Sequence, residues 1–495
     1  MNIDQYFQSH IWEELGNPKE FVGNVTCVDI HAIFGIEHNI RLLNAYRDDN
    51  YDIRIKAEGE LLRSAVDYRN IEKTMGISMS GGTMVCDMGS KGVITLRNCI
   101  SEPPTLNYKP NSDVVVEFSM PFGVEDINWK RCIEGAEMDT MVEWYLNGVQ
   151  DSSLFCESSF MKDEVSRVIT RAGNKVHEMH NIREYSSSDC LYISFNDTGV
   201  LMRKVFQKYG PSWNSSLALE YRSEYGRIPD KEERQKISEF LGFLLGRHLI
   251  LVGDTAYYND AVIESNMYNP HSQNTVAECN SITKEIVSVH HCKKDSKSFR
   301  EYAEVLLPNY LKIRDTYEMD SVLARYWLAN IMPAGVNLPV LAGALESVMK
   351  TWFRGENSKT KGVYIDAKSY ESIVKDFIVQ IEESLVECEY RDKILNKISN
   401  AYQIGVNDRY FIFLRELGLE YGDAEKSCIR ARNAFTHGDK KVDDFETLQK
   451  TRTMFILFGR VILKLLEYDG QYIDETIKGE GNHGFASKGI NDSIG

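Results

Sequence analysis

The chain has no apolar run long enough to cross a membrane as a helix. Its two longest, "FLGFLLGRHLILV" (240–252) and "MFILFGRVILKLL" (454–466), fall short of about 20 residues and are broken by Arg247, His248, Arg460 and Lys464. Buried helices are the expectation for both. The opening "MNIDQYFQSH" is polar and does not read as a secretory leader. Positive charge is scarce as well: 57 Lys and Arg stand against 73 Asp and Glu, a net charge of −16. Such a surface repels phosphate over most of its extent, which excludes a general nucleic-acid coat and leaves room for a local basic site. The ten cysteines show no paired short spacings, so reduced thiols are expected rather than a disulfide framework. These absences predict a soluble, cytoplasmic protein with no membrane partner.

Several chemistries are excluded by what their motifs would need. The glycines of "GISMSGGTMVCDMGS" (76–90) lack the Gly-Lys-Ser/Thr ending that lets a phosphate loop close on a nucleotide. "HEMHN" (177–181) has its second histidine one residue too early for a zinc protease, and Asn181 stands where that histidine is required. Cys279, His290, His291 and Cys292 are zinc-ligand types. Their spacing fits no standard finger and adjacent ligands converge poorly on one ion, so loop residues are the plainer reading. No metal and no cofactor is expected. No internal repeat is visible.

What is present is an ordinary globular composition, 43% apolar and 26% charged. At 495 residues the chain is too long for one core, and two or three domains are expected. Residues 1–200 are rich in strand signals. "YDIRIKAEGE" (51–60) alternates, with Ile53, Ile55 and Ala57 on one face, and "KGVITLRNCI", "SDVVVEFSM" and "CLYISFND" are β-branched or aromatic runs bounded by turn residues. An antiparallel sandwich or open barrel follows. Residues 201–315 read as a mixed helical connector, with an irregular stretch over 258–285. Residues 316–470 read as helices throughout. Leu341, Ala344, Leu345, Val348, Met349, Trp352 and Phe353 form one apolar stripe, and Tyr370, Ile373, Val374, Phe377, Ile378, Ile381 and Leu385 form another. A long final helix is expected from about Asp444 to Leu466, and residues 471–495, glycine-rich and polar, are expected to be a mobile tail. The fold class is α+β.

"IRARNAFTHGDKK" (429–441) is the stretch that carries chemistry. On a helix begun near Asp423, Ala424, Cys428, Ala431 and Phe435 share a narrow arc and face the bundle. Asn433 and His437 lie one turn apart on the other side with Arg430 beside them, and Arg432 points between the faces. Gly438 follows as a residue suited to the left-handed turn after a helix. The helix dipole then favours a protonated His437, an imidazole able to trade a proton near neutral pH. Guanidinium groups beside it suit a phosphate and the charge that develops on it. Lys426, Arg430, Arg432, Lys440 and Lys441 form a basic island in an acidic chain, part of which Glu425 and Asp439 could neutralise. The bland reading is a solvated helix end, and the spacing of Arg and His is weak by itself, because Arg171 and His177 in "RAGNKVH" also satisfy it.

"RNAFTH" (432–437), set in a helical C-terminal region, resembles the HEPN superfamily, whose signature is an Arg, four to six residues and a His. "PVLAGALESVMKTWF" (339–353) is similar to the helix of ApeA-like HEPN proteins that carries an Ala-Leu-Glu segment, and the β-rich first half around "GISMSGGTMVCDMGSKGVITLRNC" (76–99) is similar to the domain that precedes HEPN in that group. The resemblance implies a C-terminal all-α HEPN-type bundle and a metal-independent ribonuclease of bacterial anti-phage defence, acting by abortive infection. It implies a homodimer through that domain, with two motifs facing each other in one cleft. Carried over, Arg432 binds the scissile phosphate, His437 is the general acid/base and Asn433 orients. Arg430, also within the family spacing of His437, is a second phosphate contact. RNA is the implied substrate, transfer RNA among the candidates, and the trigger is an unknown phage-derived signal. Two other readings remain open: a non-catalytic RNA-binding or dimeric scaffold protein, and a ligand-binding β domain with a structural helical partner.

Overall fold

The computed structural model describes residues 19–28, 40–48, 51–62, 81–102, 105–108, 115–131, 133–148, 155, 157–171, 174–204, 216–270, 299–386, 388–436, 445–477 and 486–494, with the backbone alone over such stretches as 157–189 and 433–436. It is an α+β protein with a β-rich antiparallel sheet in its first half and a helical region that follows in the chain. The strands in chain order are β1 (Lys19–Val22), β2 (Asn24–Val28), β3 (Ile40–Arg47), β4 (Ile53–Leu62), β5 (Gly82–Asp87), β6 (Val93–Ser101), β7 (Thr105–Tyr108), β8 (Val115–Gly123), β9 (Asp126–Lys130), β10 (Thr140–Tyr145), β11 (Glu157–Arg171), β12 (Asn174–Phe195), β13 (Thr198–Lys204), β14 (Leu217–Arg222), β15 (Leu251–Tyr258) and β16 (Ala261–Tyr268).

These sixteen strands make one sheet in the order β1-β3-β4-β8-β6-β9-β16-β15-β10-β14-β13-β12-β11, with β2 and β5 branching from β6 and β7 from β8. The alternation read in β4 is realised: Ile53, Ile55 and Ala57 are buried while Arg54, Lys56 and Glu58 are not. One apolar cluster takes alternate residues from β3, β4 and β8 and from β5, β6 and β9, Trp129 among them, so two stretches of the sheet share a core. A second cluster gathers Val142, Trp144, Ala218, Val252 and Tyr257.

Residues 217–268, expected in the helical connector, carry three strands of this sheet. The run 240–252, expected as one buried helix, is divided between helix α1 (Lys231–Leu244) and β15. Gly246, with φ 70°, ends the helix: its N–H bonds to the Phe243 carbonyl at 3.1 Å, and the Arg247 N–H to the Gly242 carbonyl at 3.0 Å. The stretch expected to be irregular from 258 opens instead with a hairpin, since Asn259 and Asp260 both adopt positive φ, 47° and 62°.

The helices that follow are α2 (Phe299–Ile313), α3 (Met319–Ile331), α4 (Asn337–Arg354), α5 (Ala367–Ser384), α6 (Arg391–Ser399), α7 (Val406–Glu416), α8 (Asp423–Thr436) and α9 (Phe445–Leu465). The seven stripe residues of α4 are all buried. The stripe of α5 is not: Asp366 caps that helix by accepting from the Ser369 N–H, yet none of its residues is buried and Ile373 and Phe377 are largely exposed. The residues expected as a mobile tail form paired strands β17 (Gln471–Asp474) and β18 (Ala486–Gly489), and Tyr472, Asp474, Ile490 and Ile494 are buried. Two compact units result, one of residues 1–238, 248–280 and 290–304, the other of 239–247, 281–289 and 305–495.

Candidate functional site

Helix α8, which carries the Arg-to-His stretch, starts by a local device. Asp423 is its first residue, and the Glu425 carboxylate reaches back to accept the Gly422 N–H at 2.9 Å. One donor that the helix leaves unpaired at its N-terminus is thereby satisfied. The buried face then runs Glu425, Cys428, Ile429, Ala431 and Arg432. The apolar arc read from the sequence is therefore rotated: Ala424 is only half-buried, and two charged residues turn inward.

Each inward charge meets an opposite one from a distant segment. Glu425 and Arg460 of α9, both fully buried, form an ion pair at 2.9 Å. The Glu425 carboxylate also accepts the Ile494 N–H at 2.7 Å, and Arg460 donates to the carbonyls of Glu420, Ile490 and Asn491. The segment after β18 is thus clasped to the first turn of α8. Two turns on, the Arg432 guanidinium, 5% exposed as a residue, is held from three sides. It donates to the Asn407 side-chain oxygen at 2.7 Å and to the Ile429 carbonyl at 2.8 Å, and pairs with Glu346 of α4 at 3.5 Å. It also lies 4.9 Å from the ring centre of Tyr410. The Tyr410 hydroxyl donates to the Ala342 carbonyl at 2.8 Å. Burial, then the neighbouring Glu346 charge, holds that phenol well above its ordinary pKa, so it stays a neutral donor.

Of the residues singled out in the sequence, the structure brings Arg432 into this cluster and leaves Lys426 and Arg430 on the outer side of α8, one turn apart. Arg430 is exposed, its guanidinium 6.0 Å from the Phe411 ring. Lys426 pairs with Asp423 at 3.4 Å. Asn433 falls within α8 by its backbone, whereas His437, Lys440 and Lys441 lie outside the described residues. So do Cys279, His290, His291 and Cys292; among the described residues no group of His, Cys, Asp or Glu could hold a metal ion, and no helix is long and apolar enough to cross a membrane.

Asn407, Tyr410 and Arg460 escaped the sequence reading as site residues, and Glu346 and Glu425 entered it without the partners they meet here. Glu346 had one usable signal: it is the lone acid inside the apolar stripe of α4. The others had none, because their partners lie far off in the chain. Chemically, the arrangement offers a guanidinium of fixed orientation beside a carboxylate, with two further cations outside. No family model, no curated protein and no solved structure matches this chain.

Proposed function

We propose that the protein is a metal-independent RNA endonuclease of the HEPN class, acting in bacterial anti-phage defence by abortive infection, with its C-terminal helices as the HEPN bundle. The observation that carries this reading is the meeting of Arg432 and Glu346. It joins the two helical segments of the three on which the resemblance rests, the "RNAFTH" helix and the Ala-Leu-Glu helix, in one cluster. A guanidinium held by Asn407, Glu346 and the Tyr410 face is pre-oriented, which is what stabilising charge on a phosphate requires.

In the reaction, a base takes the proton of a ribose 2′-hydroxyl and the resulting oxyanion attacks the adjacent phosphorus. The bond to the 5′-oxygen breaks and an acid protonates that oxygen, leaving a 2′,3′-cyclic phosphate and a 5′-hydroxyl. His437 is assigned the proton transfers, Arg432 the phosphate charge, Asn433 the orienting role, and Arg430, Lys426, Lys440 and Lys441 the approach of RNA. A homodimer supplies a second His437, so that one acts as base and the other as acid. The β-rich unit is assigned the sensing of a phage-derived trigger or the restraint of the nuclease, and transfer RNA is one candidate substrate.

The burial of Arg432 supports a second reading. Its charge is already met by Glu346, as in a purely structural pin, and the chain is then a non-catalytic RNA-binding or dimeric scaffold. Incubating wild type, His437→Ala and Arg432→Lys with total bacterial RNA in EDTA separates the two, with cut ends mapped. Cleavage by wild type alone, leaving cyclic phosphate ends, is expected. Equal cleavage by His437→Ala would sink the assignment at this site.

A further inference from the structure

The outer side of α8 carries an arrangement that the Arg-to-His motif does not use. Phe411 of α7 and Tyr421, in the short link between α7 and α8, stack with ring centres 5.2 Å apart and planes at 23°. Both are half-buried and neither belongs to the core of the helical unit. Cations stand over this pair: the Arg430 guanidinium lies 6.0 Å from the Phe411 ring and the Lys426 ammonium 5.9 Å from the Tyr421 ring. Lys426 and Arg430 are one helical turn apart on the same face, and exposed Arg415 lies one turn on from Phe411 along α7. Asp423 is the acid paired here, with Lys426.

Two aromatic rings flanked by cations, partly open to solvent, are the parts that bind unpaired nucleotides. The rings offer planes on which bases stack, and the cations track the phosphates. A purely structural pair would close the α7–α8 link, with the flanking cations adding a weak attraction over the rings, and would leave binding of a single strand unchanged when the rings are removed. Paired RNA keeps its bases inside the helix and offers these rings no face. In a chain of net charge −16, this face sets Arg415, Lys426 and Arg430 beside two rings.

We infer that Phe411, Tyr421, Lys426 and Arg430 form a stacking platform for single-stranded RNA. The inference rests on the proposed function for its substrate class, and it places the unpaired part of the RNA on the α8 face that the sequence assigns to Arg430, Asn433 and His437.

The test is binding, so that it stands apart from cleavage. Fluorescence anisotropy would follow a labelled 12-nucleotide 2′-O-methyl single strand, which this chemistry cannot cut, and the same strand in a duplex, on the full chain. The single strand should bind the wild type more tightly than the duplex does. The double variant Phe411→Leu/Tyr421→Leu, which keeps apolar bulk but removes the rings, should weaken single-strand binding about tenfold or more. Phe411→Trp, which keeps a ring, should retain binding and guards against a folding artefact, alongside circular dichroism of each variant. Unchanged binding by a folded double-leucine variant overturns the platform, as does equal affinity for duplex or effective competition by an acidic peptide. Binding that responds as stated while wild type never cleaves RNA, even with lysate from infected cells added, would leave the platform standing and refute the nuclease.

Discussion

A charged side chain taken out of water must recover its hydration from partners, and in this molecule that rule decides how α8 lies. Glu425 and Arg432 are seven residues apart, two turns, and both sit on the buried side because each has an opposite charge waiting there. Hydropathy alone would have turned them outward. The same cost of burial acts on His248: burial depresses its imidazole from the usual 6.5 to about 4. The folded state therefore holds the neutral ring, while the unfolded chain takes up a proton at the ordinary value. The resulting stability is fully present above about pH 6.5 and is lost as pH falls toward about 4, because protons then bind the unfolded chain preferentially. Melting temperatures measured between pH 7 and pH 4.5 should fall more steeply for wild type than for His248→Asn. Parallel curves would show that the imidazole is not protected.

At the level of elements, periodicity was legible wherever the burying partner is implied by the segment itself. The alternation of β4 and the stripe of α4 are examples, and the residues they mark are buried. It failed where a short signal competes with a long apolar run. Gly246 ends α1 in the middle of a run that reads as continuous, and Asn259-Asp260 makes a hairpin inside a stretch too polar to look like a strand. The candidate site was half legible for a related reason. The motif names α8, but Glu346, Asn407 and Arg460 reach it from elements remote in sequence, and a single sequence does not record such contacts. The two stripes of α4 and α5 look alike in sequence and differ in structure, which gives a direct test. Leu345→Ala in α4 should cost about 2–5 kcal/mol, the usual range for a cavity in a packed core. Phe377→Ser in α5, 62% exposed, should change stability by no more than about 0.5 kcal/mol. Denaturant unfolding of the full chain would compare the pair, and equal losses would mean that α5 is covered in solution.

For the molecule as a whole, acidity and RNA binding have to be reconciled. A chain of net charge −16 repels RNA at long range, and its few local cations can displace only a few of the counter-ions condensed on a strand that lands. The platform's Lys426 and Arg430, with Arg415 one turn on from Phe411, supply three cations. For a single strand, affinity should fall with salt at a slope of about −0.7 per phosphate neutralised, hence close to −2 on logarithmic axes. Stacking, being insensitive to salt, carries the rest of the binding, so affinity should persist at salt levels that strip RNA from a basic protein. Anisotropy titrations of the 2′-O-methyl strand across 50–400 mM potassium chloride would give the slope directly, and Arg430→Gln should make it shallower by roughly 0.7. A slope several times steeper would mean that RNA follows a broad basic track elsewhere. The four residues of α7, α8 and the link between them would then be a staple for that link and nothing more.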